Sequence, residues 1–419
     1  MIQSIYAGVS SLQSFQTGID VLANNIANVN TVGFKGSSTE FSNLFEKAVN
    51  TSGNAITSMQ SGLGVQVNTT ALDLSLGSYY QSDNITDLAI AGDDGWFGLT
   101  GPNNQEFFTR AGNFRFDPYS TDGLQTDTRL INPDGFLVTG TLANNTTSGI
   151  LSPVTDFLDL GSVESQEALI FPNELTFPVI PSTQADFFGN LGIENIQQVV
   201  SAEVISPQSE RNNLQLIFSQ STIQPATGIN WDVLATTQTA DGSTIYDTQT
   251  GLVSFDGSGA LVSSTLGPLD NNGATVTPNL GSGLSGLISN SGPTVASSAT
   301  VDGTLAGELI NYSVNRNGDV ISTFTNGAQS IVGKVAIYHF QNDQGLEAVS
   351  GNKFRASQNS GQPIFYTQDN GQLLSGTLEN SNVRLDTALT ELIIMQRSYD
   401  AASKTITTGD EMLKNALQM

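Results

Sequence analysis

From residue 2 to residue 30 the apolar and small side chains recur at alternating steps of three and four. Ile2, Ile5, Val9, Leu12, Gln16, Ile19, Ala23 and Ile26 share one seam, with Phe15 and Leu22 beside it. This heptad spacing predicts an amphipathic helix carrying a coiled-coil stripe. The same steps return at the far end in Leu385, Leu389, Leu392, Gln396, Tyr399, Ser403, Ile406, Asp410, Leu413 and Leu417. Asn380, Ser381 and Asn382 precede that second helix, and short polar side chains of this kind suit a helix N-terminus, where the first amides lack partners. Gly409 lies inside the helix and weakens it by about 1 kcal/mol relative to alanine.

Between the two ends the pattern changes to short alternating runs rich in Thr and Val. Turn dipeptides punctuate them: Asp122-Gly123, Asp134-Gly135, Asp241-Gly242, Asp256-Gly257, Asn317-Gly318 and Asn326-Gly327. These mark hairpins in an all-β body. The fold class expected is mixed and mainly β, with a coiled-coil-like pair of terminal helices enclosing nested β domains.

A stripe of this sort needs a partner, because isolated helices are marginal in water and gain most of their stability by burying the apolar face. The ends therefore pair with each other or with neighbouring copies. Residues 1–34 carry one charged side chain, Asp20, fewer than a solvated surface helix normally shows. The polar seam positions Gln16, Gln396 and Ser403 either fix the register of such contacts or face an aqueous channel.

Charge divides the middle of the chain. Of a net −25 over 419 residues, −13 falls in residues 151–300, which hold fourteen acidic side chains and a single basic one, Arg211. That block ends in a Gly/Ser/Asn-rich stretch at 281–298, which reads as a boundary or loop. The expected organisation is a helical domain from 1–30 and 381–419, a linking segment at 31–74, a discontinuous inner β domain from 75–150 and 300–375, and an inserted acidic outer β domain at 151–299.

Several chemistries are excluded by composition. There is no cysteine, and the single histidine, His339, sits in a run that reads as a strand, so thiolate catalysis is absent and a Ser-His-Asp triad has no G-x-S-x-G elbow to use. No phosphate-cradling glycine loop precedes a helix. Asp83 with Asp87, and Asp93 with Asp94, stand beside glycines without a complete calcium-loop spacing, and turns explain them better than ligation. Trp96, Phe97, Phe107, Phe108, Phe114 and Phe116 read as hairpin core. No catalytic residue, metal site or cofactor is expected. The acidic balance disfavours nucleic acid and anionic membrane surfaces, and the apolar runs are far shorter than the ~20 residues that span a bilayer. The N-terminus lacks the basic and continuous apolar regions of a cleaved secretory signal.

One segment stands out. At 22–35 the first helix runs into Asn24, Asn25, Asn28, Asn30 and then Gly33, residue types that most readily take left-handed backbone at a helix end. The run Ala23, Asn24, Asn25, Ile26, Ala27, Asn28, Val29, Asn30, Thr31, Val32, Gly33, Phe34, Lys35 closely resembles the N-terminal signature of the bacterial flagellar rod and hook family. Residues 86–97 and 108–114 resemble that family's first β-domain motif, and residues 345–352 and the terminal helix around Met395, Gln396, Arg397, Ser398 and Tyr399 also fit. Two departures lie in one turn: Asp94 is an extra residue, and Trp96 replaces the usual Phe.

The resemblance implies a self-assembling structural subunit rather than an enzyme, and the long insertion points to a hook-type member. It further implies an extracellular helical tube of many copies with a central channel, acting as a universal joint between motor and filament. The implied partners are the distal rod protein, the hook cap, the hook–filament junction proteins and the flagellar type III export apparatus. Two other readings stay open: another axial protein of the same family, and a secreted acidic β-protein that binds glycan or calcium through 151–300.

Overall fold

The structure is a computed structural model and describes residues 2–44, 47–49, 59–61, 64–120, 126–143, 146–147, 149–153, 158–292, 298–365 and 373–418. Two long helices enclose a β body built of several sheets. Helix α1 spans Ile2–Ala27 and helix α2 spans Leu385–Gln418. They run antiparallel: Gly409 faces Ile5, Gly8 faces Ile406, and Gly18 faces Met395.

The seam that packs is not the one with the largest side chains. On α1 the buried positions are Gly8, Ser14, Gly18, Leu22 and Asn25, while Ile5, Leu12, Phe15, Ile19 and Ile26 are half-buried and Val9 is exposed. On α2 the buried positions are Ala388, Ala402 and Gly409. Small residues let the backbones approach closely. A Cβ added at Gly8 would stand 2.7 Å from Ile406 Cγ1, and one at Gly409 would stand 2.9 Å from Ile5 Cγ1. The helix-weakening Gly409 is thus one of two positions where the partner helix leaves no room for a Cβ.

The linking segment is no open tether in its described part. Ser37–Asn43 and Val65–Leu72 pair antiparallel as a two-stranded ribbon laid along α1. Phe41 meets Phe15 with ring centroids 6.0 Å apart, and Ser14 Oγ donates to Val65 O at 3.1 Å. Alternation of Phe41, Val67 and small polar residues gives the ribbon one side to set on the helix. Much of the stretch between the two strands lies outside the described residues.

Beyond the ribbon is a closed barrel drawn from both halves of the chain, from Trp96–Thr100 through Thr176–Phe177 and from Gly307–Val314 through Ile364–Phe365. Its core contains Leu88, Phe97, Phe114, Leu130, Phe171, Val320, Phe324 and Val335. Phe97 and Phe114 meet edge to face at 5.0 Å, and a satellite cluster holds Trp96, Phe108, Tyr338, Phe340 and Phe354. Each such side chain stabilises the fold by about 1.5–3 kcal/mol when fully buried. The composition-based boundary at 150 falls inside this barrel. Glu167–Ala168, Ile170–Pro172 and Thr176–Phe177 ladder onto Leu137–Leu142, Thr126–Ile131 and Gly307–Val314. Charge misplaced the boundary because Glu164, Glu167 and Glu174 are exposed while Leu169, Phe171, Leu175 and Phe177 from the same stretch are core.

A second β unit runs from Gln184–Asn190 to Ser298–Val301. It consists of an antiparallel meander, Gln198–Ile205 through Leu261–Ser264, facing a six-stranded sheet centred on Gln184–Asn190. Trp231, Phe218, Phe255 and Phe187 fill the space between.

The chain then returns to its start. Leu373–Ser375 pairs with Leu88–Ile90, and Thr377–Glu379 pairs with Tyr79–Gln81, so the strand that leads into α2 lies beside the strands that follow the ribbon. Asn380, Ser381 and Asn382 do not cap α2, which begins at Leu385. Asn382 Oδ1 accepts from Gly36 N at 2.8 Å and its Nδ2 donates to Asp73 O at 2.7 Å; its side chain is already committed to the joint.

Candidate functional site: the joint between the helical pair and the β body

The motif at 23–35 folds into this joint. Helix α1 ends at Ala27, where Asn28 N bonds to Asn24 O at 3.2 Å and Asn28 Nδ2 donates to the same oxygen at 2.9 Å. The carboxamide of Asn25 makes a two-bond clasp on the ribbon. Its Nδ2 donates to Ser37 O at 2.7 Å and its Oδ1 accepts from Ser37 N at 3.0 Å, so the buried side chain acts as one rung of a ladder.

Gly33 turns the chain with φ +62°, and a Cβ there would stand 2.6 Å from the backbone nitrogen of Ala111. A left-handed backbone and a close approach both demand glycine. Its N–H donates to Glu379 O at 2.7 Å. Val32 O accepts from Asn352 Nδ2 at 2.9 Å, which ties the same turn to the second half of the barrel.

Lys35 follows two residues later and is buried, with its ammonium donating to Glu379 Oε1 at 2.7 Å and to Ser75 O at 2.8 Å. Glu379 Oε1 also accepts from Gly77 N at 2.9 Å, and Oε2 lies 3.6 Å from Arg110 Nη1. Arg110 is anchored by donating to Gly92 O at 2.9 Å and to Asp93 O. Burial pushes the Lys35 amine below its ordinary value, with Glu379 opposing the shift, and pushes the Arg110 guanidinium down in the same way. One carboxylate between two buried cations therefore holds four pieces of chain together: the motif at 33–36, the bend at 75–77, the strand end at 110, and the lead into α2.

The residues singled out from sequence divide into two groups. Asn25, Gly33 and Lys35 are buried in the joint, Ile26, Asn28 and Phe34 are half-buried around it, and Ala23, Asn24 and Ala27 are exposed. Among the helix-stripe residues, Leu22 is buried and Ile5, Leu12, Ile19, Leu392, Ile406 and Leu413 are half-buried, while Val9, Leu385, Leu389 and Tyr399 face outward. Ile393 and Ile394 are 58% and 57% exposed beside them. The helical pair thus leaves several large apolar side chains exposed. The sequence reading passed over Glu379 and Arg110 as joint residues. Their signal was an isolated acid beside the apolar Leu378 and an arginine inside an otherwise neutral motif, in a chain where only 13% of residues are charged.

Comparison with known proteins finds similarity on both sides of this joint. The model described as flagella basal body rod protein matches residues 5–35, and the flagellar basal body rod FlgEFG protein C-terminal model matches residues 374–419. Lys35 and Glu379 thus stand one in each matched segment. The flagellar hook protein FlgE of Salmonella typhimurium is 27% identical over 99% of this chain and 100% of its own length. That of Borreliella burgdorferi is 28% identical over the whole of both chains. The crystal structure of Helicobacter pylori flagellar hook protein FlgE2 superposes with a TM-score of 0.52 at 16% identity, covering 72% of this chain and 99% of that one, which supports the fold. These relatives are named as flagellar hook proteins. Matched at both ends by flagellar models and aligned along its whole length with hook proteins, the chain is similar to flagellar rod and hook proteins, as its motifs implied.

Proposed function

We propose that the chain is a structural subunit that self-assembles through its terminal helices into the tubular flagellar hook, outside the cell. The observation that carries this reading is the set of large apolar side chains the helical pair leaves exposed, among them Leu385, Leu389 and Ile393, which follow one another at helical spacing of four on α2. A large exposed apolar patch marks an interaction surface, and a contact between unlike faces that does not close into a ring builds a helical assembly.

In this reading the helices form an inner wall around an export channel, the barrel forms the middle layer, and the unit at 184–301 faces outward. The polymer transmits torque as a universal joint, because polar, weakly charged outer surfaces slide past one another more readily than a fixed lattice of ion pairs. Distal rod, cap and junction proteins join it end on, and the type III export apparatus delivers the subunits.

Electron microscopy after induced polymerisation tests this, with the intact chain beside a variant lacking 1–30 and 381–419. Curved tubes from the intact chain alone are expected. Straight tubes would favour a rod-like relative, and tubes from both proteins would remove the helices as the assembly determinant.

A further inference from the structure

The single histidine of the chain does not stand alone. His339 ends the strand Ile337–His339, and two carboxylates reach it from separate turns: Asp94 from the turn before Trp96–Thr100, and Asp343 from the short helical turn Asp343–Gly345. One imidazole nitrogen and one oxygen of each carboxylate lie within 4.8 Å of one another. Ligand atoms bonded to one ion at about 2.1 Å lie roughly 3 to 4 Å apart, so small side-chain rotations close the set.

Two further observations point to a ligand. Trp96 Nε1 donates to Asp343 Oδ1 at 3.1 Å, the outer hydrogen bond that orients a metal-binding carboxylate while leaving it lone pairs to share. Among the described residues, no lysine or arginine forms an ion pair with Asp94 or Asp343, and the nearby Arg110 already serves Gly92 O, Asp93 O and Glu379.

We propose that Asp94, His339 and Asp343 form a site for a divalent first-row transition metal ion, with water completing its coordination. The imidazole selects such an ion over calcium or magnesium, which prefer all-oxygen shells. The bound ion links the turn at 92–95 to the strand and turn at 337–345, fastening the two halves of the chain on the barrel surface.

The test is calorimetric titration of the full-length monomer with zinc chloride and, separately, calcium chloride. One zinc per chain is expected with no matching calcium isotherm, and affinity about tenfold weaker or worse in both His339→Gln and Asp94→Asn. Asp94 is exposed, so the metal-free melting temperature of its variant is expected to equal that of the intact chain, which keeps the test independent of folding. Absence of saturable zinc binding, or zinc affinity unchanged in Asp94→Asn, would overturn the proposal.

Discussion

Lys35 Nζ lies 2.7 Å from Glu379 Oε1, and both side chains are 1% exposed. The pair closes a loop of 344 residues and fastens the end of the N-terminal motif to the strand before α2. Removing one member of a buried pair leaves an uncompensated charge, at a cost of about 3–5 kcal/mol. Glu379→Gln is expected to cost that much in denaturant unfolding of the monomer, because it strands both Lys35 and Arg110. Lys35→Met leaves Glu379 with Arg110 and is expected to cost clearly less. Equal losses would show that Arg110 takes no share in the pair.

Gly33→Ala meets two obstacles at once, a positive φ and backbone 2.6 Å from the new Cβ. The left-handed conformation alone costs roughly 1–2 kcal/mol outside glycine. Faster hydrogen exchange at 33–36 and at 111 is the expected signature, with the barrel core unchanged.

The small-residue contact between the helices is tested at Gly8. Gly8→Leu places a branched side chain where a single Cβ would stand 2.7 Å from Ile406 Cγ1. The helical pair is expected to separate, with lower helix content by circular dichroism at unchanged melting of the β body.

The exposed apolar side chains of α2 are tested by Leu389→Ser with Ile393→Ser. Both side chains are exposed in the single chain, so monomer stability is expected to stay within about 0.5 kcal/mol. Polymerisation followed by light scattering is expected to fail, and polymers of normal yield would place the contact elsewhere.

Acid should loosen the unit at 184–301 before it neutralises every carboxylate. The hydroxyl of Thr239 and the donors of Ser243 lower Asp241 from 3.8 to about 2, the Ser258 hydroxyl lowers Asp256, and the Asp270 amide lowers Asp247. A depressed folded value means stability that is present above the unfolded value and lost as pH falls through the folded one. The expected loss therefore runs from about pH 4 down to about pH 2. The triple Asp→Asn variant at these positions is expected to melt with a flatter dependence on pH over that window.

The helices and the Asn-rich stop were legible because both are local: periodicity of three and four marks a helix, and asparagine and glycine mark its end wherever the rest of the chain goes. The helix face was only partly legible. Gly8, Ser14 and Gly18 contribute no apolar bulk, yet they are buried, so apart from Leu22 a search for large side chains found the half-buried flank instead. Glu379 and Arg110 escaped notice because their significance lies in contacts across hundreds of residues. Net charge, which sits on the surface, could not mark the edge of the barrel at Thr176–Phe177.

The antiparallel pairing of α1 with α2 sets an order of events. The two helices lie far apart in the sequence, so a chain delivered from its N-terminal side carries α1 unmatched until the 34 residues of α2 arrive. Pairings so distant in sequence form late, after the local hairpins between them. The apolar stripe of α1 therefore waits on the finished β body, and a nascent chain that stops short of residue 385 has no second helix with which to complete the inner pair. Helical pairing therefore waits on the arrival of α2.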